Sequence, residues 1–295
     1  MLSARTAIAR SRRGITFGLA VHVLLWAAVA ASLAFALWPR AGDDVANHGR
    51  WAVVAVLIVW VAATVHSRNS ARLVGLVHDL LASGEFDAAE EQIDRSLRTF
   101  SLFRPAKVAA LHQLAALRLA QGRSGEAASL CREVLSHRLP WQGGLRRSAR
   151  LMLAKALLDE GDPASVATTA ATLAALRGEQ LSLAESMNLL HLDLDCRSRL
   201  GDWAGMFRDW MPKAQLAEVM PPGLSARVQA LLALAALRLG RADASGWLVQ
   251  RAELLVDSPD ELTRRRPLLE ALWPREAARR EAAGTLTSTA TRDEL

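Results

Sequence analysis

Five glycines recur along the chain at an almost constant interval, at positions 84, 122, 161, 201 and 240. Their spacings are 38, 39, 40 and 39 residues. A period of this length is the sequence mark of a protein built from stacked helical repeats. A single repeat is too small to bury its own apolar face, so neighbouring repeats have to form the core together. The chain is therefore expected to be all-α.

The residues around each glycine predict a pair of helices. Residues 108–120 carry apolar side chains at the spacing of one helix face. Gly122 follows and can adopt the left-handed conformation that ends a helix. A polar residue comes next and a second helix begins, as expected for residues 87–99 after Gly84.

One of these turns resembles a known repeat family. Residues 81–90 read Leu-Ala-Ser-Gly-Glu-Phe-Asp-Ala-Ala-Glu. This is similar to the turn between the two helices of a tetratricopeptide (TPR) repeat. Ala89 and Ala127 match the small residue of the family's second helix, and Leu114 with Ala115 matches the large–small pair of its first helix.

The resemblance covers about residues 70–256 and implies a right-handed, TPR-like α-solenoid of about five helix pairs. The period near 39 is longer than the family's value of about 34, and Val166 and Met206 replace its small alanine. HEAT-like or other α-solenoid packing is the structural alternative.

The C-terminal part predicts a capping helix. Ser258-Pro259-Asp260-Glu261 offers a capping residue, a proline at the first helical position and a glutamate in the first turn. Pro267 and Pro274 are expected to break that helix. We predict a helical-repeat domain over residues 68–283 and a disordered tail over residues 284–295.

The N-terminal part predicts a transmembrane hairpin. Residues 15–38 contain no formally charged side chain and are long enough, as a helix, to cross a hydrocarbon core of about 30 Å. A second apolar run begins at Trp51, and we assign it to a second span, residues 51–67. Residues 39–50 are then a short polar loop, and residues 1–14 a basic N-terminal tail. The likeness is thus to TPR proteins of a membrane-anchored type.

Each span has an alternative interpretation. Residues 1–36 could be a cleaved signal peptide, because arginines precede the apolar run and Ala34-Phe35-Ala36 mimics a cleavage site. The apolar run is longer than such peptides need. The second segment could instead be a buried helix of a soluble domain, because it is short.

Charge placement predicts which side of the membrane each part occupies. Only three of the 36 Lys and Arg residues are Lys, which favours a bacterial source. The net charge of +6 divides into +4 for residues 1–67 and +2 for residues 68–295. So weak a field on the repeat domain argues against a nucleic-acid partner. The basic flanks favour a multi-pass protein of the inner (cytoplasmic) membrane with its N-terminus and solenoid in the cytoplasm.

The sequence contains no recognisable catalytic motif. It has no P-loop, dinucleotide-binding glycine pattern, nucleophile elbow or HExxH motif. His191 and Asp195 share a helix face, but two ligands do not make a metal site. We expect a protein that is not an enzyme and that uses no cofactor, metal or small-molecule substrate.

The resemblance to TPR proteins also implies a binding surface. In that family the first helix of each pair lines a concave groove. Matching positions here are Val74, His78, His112, Leu151, Lys155, Asn188, His191, Asp195, Arg227 and Arg238. The alternative is that these are ordinary solvated helix positions. The implied function is a non-catalytic scaffold or adaptor for a protein or peptide partner at the lipid bilayer. The alternative is an assembly or secretion factor of an envelope complex whose solenoid lies outside the cytoplasm.

Overall fold

The computed structural model describes residues 2–36, 43–101, 104–137 and 143–273. Within these ranges the chain forms helices and turns and contains no β-strand. It divides into two compact units, Met1–Glu160 and Gly161–Leu295. Residues 274–295, which include the predicted tail, lie outside the described part of the chain.

The described residues of the first unit form six helices, α1 to α6. In chain order these are α1 (Ala4–Ala36), α2 (Asp43–Ala82), α3 (Phe86–Arg98), α4 (Arg104–Ala120), α5 (Ser124–Ser136) and α6 (Gly143–Glu160). Its core is formed by apolar side chains from all six helices, among them Val77, Ile93, Leu114 and Leu157.

The second unit contains seven helices and a 3₁₀ segment within its described residues. These are α7 (Pro163–Ala174), α8 (Leu183–Leu200), α9 (Trp203–Phe207), α10 (Trp210–Glu218), α11 (Pro222–Arg238), α12 (Ala242–Glu253), α13 (Asp260–Arg265) and the 3₁₀ helix Pro267–Leu272. Helix α11 is buried on nearly all sides and forms the centre of this unit.

The glycine repeat is confirmed as a series of helix ends. All five glycines have positive φ, between 70° and 80°. At Gly122 the N–H of Arg123 donates to the carbonyl oxygen of Arg118 at 2.8 Å, and Gly122 N–H donates to that of Leu119 at 3.1 Å. These two bonds satisfy carbonyls that the end of α4 would otherwise leave without partners.

Residues 2–14 do not form the basic tail that was expected. Helix α1 begins at Ala4 and runs without a break through the first apolar segment. Ala4, Ala7 and Ser11 are buried, with Ile8 packed beside them. These residues are three or four apart, so they form one stripe on the helix, while the arginines lie on its other faces. We call residues 2–14 the docking segment.

Helix α2 replaces three predicted segments with one helix of 40 residues. It includes residues 43–50 of the predicted loop, all of the predicted second span and the first helix of the repeat domain; residues 37–42 lie outside the described part. One helix in the described residues, Ala4–Ala34, is long and apolar enough to cross a membrane, and an 18-residue window within it has a mean hydropathy of 2.0. A cleaved signal sequence would meet the same test.

Two prolines shape the second unit. Pro212 lies in the first turn of α10 and has no backbone N–H to donate. The helix that follows Gly201 is split into α9 and α10, and Asp209 between them has φ 51°.

The predicted capping helix is short. Ser258 Oγ accepts from Asp260 N–H at 3.2 Å, and α13 ends at Arg265, before Pro267. The residue before Pro267 is forced out of the helical region.

Candidate functional site: the predicted groove and the docking segment

Three of the predicted groove residues lie in the first unit. His78 and Lys155 are exposed, whereas His112 is partly buried and its Nε2 lies 2.9 Å from Ser148 Oγ. Burial lowers the pKa of His112 to about 4, so this side chain is neutral at physiological pH. Leu151 is buried and belongs to the interior. The side chain of Val74 lies outside the described part.

The other five groove residues lie in the second unit. Asn188 is exposed and donates to the carbonyl oxygen of Ala184 at 3.0 Å. His191 and Arg227 are half-buried. Arg238 is exposed and lies over the ring of Trp203, 5.9 Å from its centroid. These four side chains reach the surface of their unit to different extents.

Asp195 does not line a solvent-facing surface as predicted. It is only 4% exposed and accepts from Arg266 Nη2, with Arg199 Nε 3.8 Å away. A buried carboxylate needs such cations, because an unpaired charge in the interior is costly. Asp195 therefore ties the segment before the 3₁₀ helix to α8.

The most extensive polar network in the first unit lies where the docking segment meets α3, α4 and α5. Arg118 on α4 is completely buried, and its two terminal nitrogens lie 3.1 and 3.2 Å from the carboxylate oxygens of Glu90. Arg118 Nη2 also donates to the carbonyl oxygen of Leu2, and Leu2 N–H donates to Glu90. The start of the chain is thus part of a buried ion-pair network.

The ionisation of Glu90 reflects this network. Burial raises the pKa of its carboxyl group, but the hydrogen bonds from Arg118 and Leu2 outweigh burial and hold the pKa below its ordinary value. Removing one member of a buried pair leaves an uncompensated charge and is strongly destabilising. The docking segment is therefore expected to be important for the stability of the first unit.

Two further ion pairs hold the same segment. Arg10 pairs with Asp94 on α3, and Arg12 Nε and Nη2 lie 2.8 and 2.6 Å from the two carboxylate oxygens of Glu133 on α5. The hydrogen bond from Arg12 lowers the pKa of Glu133. Arginines predicted to flank a membrane span are thus also used in tertiary contacts.

Two of the three lysines of the chain satisfy helix ends. Lys107 Nζ donates to the carbonyl oxygens of Ser96 and Leu97, both at 2.8 Å, and to that of Thr99. In the second unit Lys213 Nζ donates to Met206 O at 2.8 Å, Gly205 O at 3.3 Å and Arg208 O. An ammonium group offers three donors from one point, which suits converging carbonyls better than a planar guanidinium.

An aromatic surface in the second unit was not predicted from the sequence. The rings of Phe207 and Trp210 stack at 5.6 Å, Trp247 meets Trp210 edge-on at 5.7 Å, and Arg251 lies 4.7 Å above the ring of Trp247. Phe207 and Trp210 also line an open cleft of about 730 Å³ beside Gly240. The signal that could have found it is the concentration of tryptophans between residues 203 and 247.

The apolar middle parts of α1 and α2 are exposed. Phe17, Leu24, Trp26, Trp51, Ile58 and Val65 each keep more than half of their surface accessible. His22 Nε2 accepts from Trp26 Nε1 at 3.0 Å, so one of the two ring nitrogens of His22 has a partner on its own helix. An apolar surface of this extent is typical of a membrane-inserted segment or an interface.

Cys131 and Cys196 are free and buried, and burial raises the pKa of Cys131 to about 12. Within the described ranges no three His, Cys, Asp or Glu side chains lie close enough together to hold a metal ion. No protein-family model matches the chain, and neither a curated protein nor a solved structure matches it.

Proposed function

We propose that this protein is a non-catalytic scaffold or adaptor that binds a protein or peptide partner through TPR-like helix pairs, anchored in the bacterial inner membrane by a hairpin of α1 and α2. The observation that carries the proposal is the continuity of both hairpin helices. Each runs without a break from an apolar, exposed part into the packed first unit.

The docking segment supports two spans. It packs on the same unit that the last part of α2 enters. A chain that leaves a folded unit along α1 and returns to it along α2 crosses the membrane an even number of times. A single span would separate the docking segment from α3, α4 and α5. The second span, residues 51–67, follows from this reasoning despite its short apolar run.

The same contacts argue against a cleaved signal peptide. Cleavage after Ala36 would remove Leu2, Arg10 and Arg12, together with the bonds they make to Glu90, Asp94, Arg118 and Glu133. Arg118 would lose a partner while remaining buried, which costs stability. A retained α1 avoids this loss.

Basic residues support a cytoplasmic orientation. Arg5, Arg10, Arg12 and Arg13 precede the first span, and Arg68 and Arg72 follow the second. Lys and Arg near the ends of spans are enriched on the cytoplasmic side. The N-terminus and the repeat domain therefore share the cytoplasm in this proposal. An envelope factor with its repeat domain outside is the competing orientation.

The partner-binding part of the proposal is tested with the full-length protein purified in detergent. Lys155→Glu reverses an exposed charge on α6, a first helix of a pair, and Arg132→Glu reverses one on α5, a second helix. Quantitative mass spectrometry of co-purifying proteins should show a partner that is lost with Lys155→Glu and retained with Arg132→Glu. Equal recovery of every co-purifying protein with both variants would contradict binding through the predicted groove.

A further inference from the structure

Residues 99–101 are the described part of the turn between α3 and α4, and they lie beside the start of the apolar part of α1. The ring of Phe100 in this turn meets the ring of Phe17 edge-on, with 5.7 Å between centroids. A Cβ placed on Gly14 would lie 3.3 Å from Lys107 Cε, and Lys107 in turn binds the carbonyl oxygens at the end of α3. Residues 14–17 of α1 and the turn are therefore at the same level.

That level is the membrane boundary if α1 spans the bilayer. Arg13 is the last charged residue of α1, and Phe17 follows it by four residues, about 6 Å along a helix. The polar headgroup layer is itself about 5–8 Å thick on each side of the hydrocarbon core. Phe100 then lies at the depth where aromatic side chains accumulate in membrane proteins.

The charges around the turn have the sign that suits this position. Arg13 is exposed, and Arg104 is exposed although its Nη2 lies 2.9 Å from His137 Nδ1. The side chain of Arg98 is 66% exposed although it pairs with Asp94 at 2.6 Å. Long basic side chains can keep their stems along apolar surface and place their charges among phosphates. The pair Phe17–Phe100 stands next to these arginines, with Phe17 62% exposed.

We infer that the α3–α4 turn is a third membrane contact of the first unit: Phe100 enters the interface of the bilayer, and Arg13, Arg98 and Arg104 face the phosphates of anionic lipid headgroups. This inference rests on the proposed insertion of α1. Its consequence is that the first unit lies on the membrane surface instead of standing away from it.

The test uses the full-length chain in nanodiscs of phosphatidylcholine and phosphatidylglycerol, with Cys131→Ala and Cys196→Ala removing the native thiols. A single cysteine replaces Phe100, Leu24 in the apolar part of α1, or exposed Ser83. Ser83 lies in the turn between α2 and α3. Glu90 on α3 accepts from Leu2 N–H, so this turn is at the end of the unit where the docking segment begins. Each cysteine carries an environment-sensitive fluorophore, and the lipids carry nitroxide quenchers at two depths.

The expected result is loss of fluorescence at position 24 with the deep quencher, loss at position 100 with the shallow quencher, and none at position 83. A label at exposed Arg104 repeats the measurement without changing Phe100. Quenching at 24 with none at 100 or 104 would overturn the inference and leave the membrane anchor standing. No quenching at 24 would overturn both.

The lipid charge is tested with the same labels. Shallow quenching at position 100 should increase when phosphatidylglycerol is included, and Arg98→Gln with Arg104→Gln should abolish that increase. Equal quenching in neutral and anionic nanodiscs would overturn the assignment of the arginines to anionic headgroups.

Discussion

Arg12 and Glu133 form a two-point ion pair, at 2.8 and 2.6 Å, across 121 residues of sequence. This contact fastens the first helix of the chain to α5. Together with the bonds among Leu2, Glu90 and Arg118, it makes the N-terminus part of the folded unit. The exposed apolar parts of α1 and α2 are therefore continuations of two packed helices, and the proposed membrane insertion would give the first unit a fixed orientation at the bilayer.

Reversing Arg12 tests the docking of α1. Arg12→Glu should lower the thermal midpoint of the full-length protein in detergent, because it places a negative charge beside Glu133. Arg5→Glu on the exposed face of the same helix should leave the midpoint almost unchanged. The exchange Arg12→Glu with Glu133→Arg should restore part of the loss. Equal effects of the Arg5 and Arg12 variants would mean that the docking segment is not held as described.

Arg118 tests the buried network. Arg118→Met should cost about 3–5 kcal/mol, because Glu90 is left buried without its cation. Adding Glu90→Met should recover much of that loss, since the remaining charge is also removed. Urea unfolding of the three variants in one detergent measures the coupling. A double variant as unstable as the sum of the two single variants would contradict a direct pairing.

Lys107 tests whether the carbonyl oxygens at the end of α3 require an ammonium group or accept a guanidinium group. Lys107→Arg should destabilise the first unit by about 1–3 kcal/mol even though the charge is kept. The planar guanidinium group cannot donate to all three carbonyl oxygens at the end of α3. Lys155→Arg, at an exposed position, is the matched control. Indistinguishable thermal midpoints for the two substitutions would rule out the geometric requirement.

His112 predicts a pH dependence with a definite sign. Its folded pKa of about 4 lies below its ordinary value of 6.5, so the unfolded state binds the proton more tightly. The stability that the neutral ring provides is present above pH 6.5 and is lost as the pH falls towards 4. The loss near pH 5 should be about 1–2 kcal/mol. His112→Gln should lose less stability than the wild type on going from neutral pH to pH 5; parallel curves would contradict the assignment.

The repeat glycines test the register of the helix pairs. Gly122 has φ 72°, and a Cβ added there would meet no atom within 4 Å. The cost of substitution is therefore backbone strain alone. Gly122→Val should destabilise by about 1–2 kcal/mol, while Gly122→Asn should cost less because Asn tolerates the left-handed region. Equal urea midpoints would mean that this residue does not need positive φ.

Local patterns predicted the helix ends well and the long-range pairs poorly. Gly84 to Gly240 were identified because a left-handed terminator is a local requirement with a visible period. The resemblance to TPR proteins implies a groove position for Asp195, but it does not say that Arg266, 71 residues later, covers this side chain. The docking segment was missed because its stripe of Ala4, Ala7, Ile8 and Ser11 lies among arginines that also suit a membrane flank.

The helix ends differ from the predicted segment ends for a related reason. Composition predicts the apolar part of α2. The helix continues on both sides of it because no proline lies between Asp43 and Ala82. Gly75 lies inside α2 and does not end it. A Cβ added at this glycine would meet no atom within 4 Å. Hydropathy locates a bilayer segment, whereas helix ends depend on capping residues and prolines.

The most direct test of the proposed anchor is cysteine accessibility in spheroplasts, using the chain without its native thiols. Single cysteines replace exposed Ala9 in the docking segment, exposed Ser129 on α5, and Asn47 between the two proposed spans. With a membrane-impermeant maleimide, positions 9 and 129 should react only after lysis, and position 47 should react in intact spheroplasts. Reaction of positions 9 and 129 from opposite sides of the membrane would contradict the hairpin and the docking of α1 together.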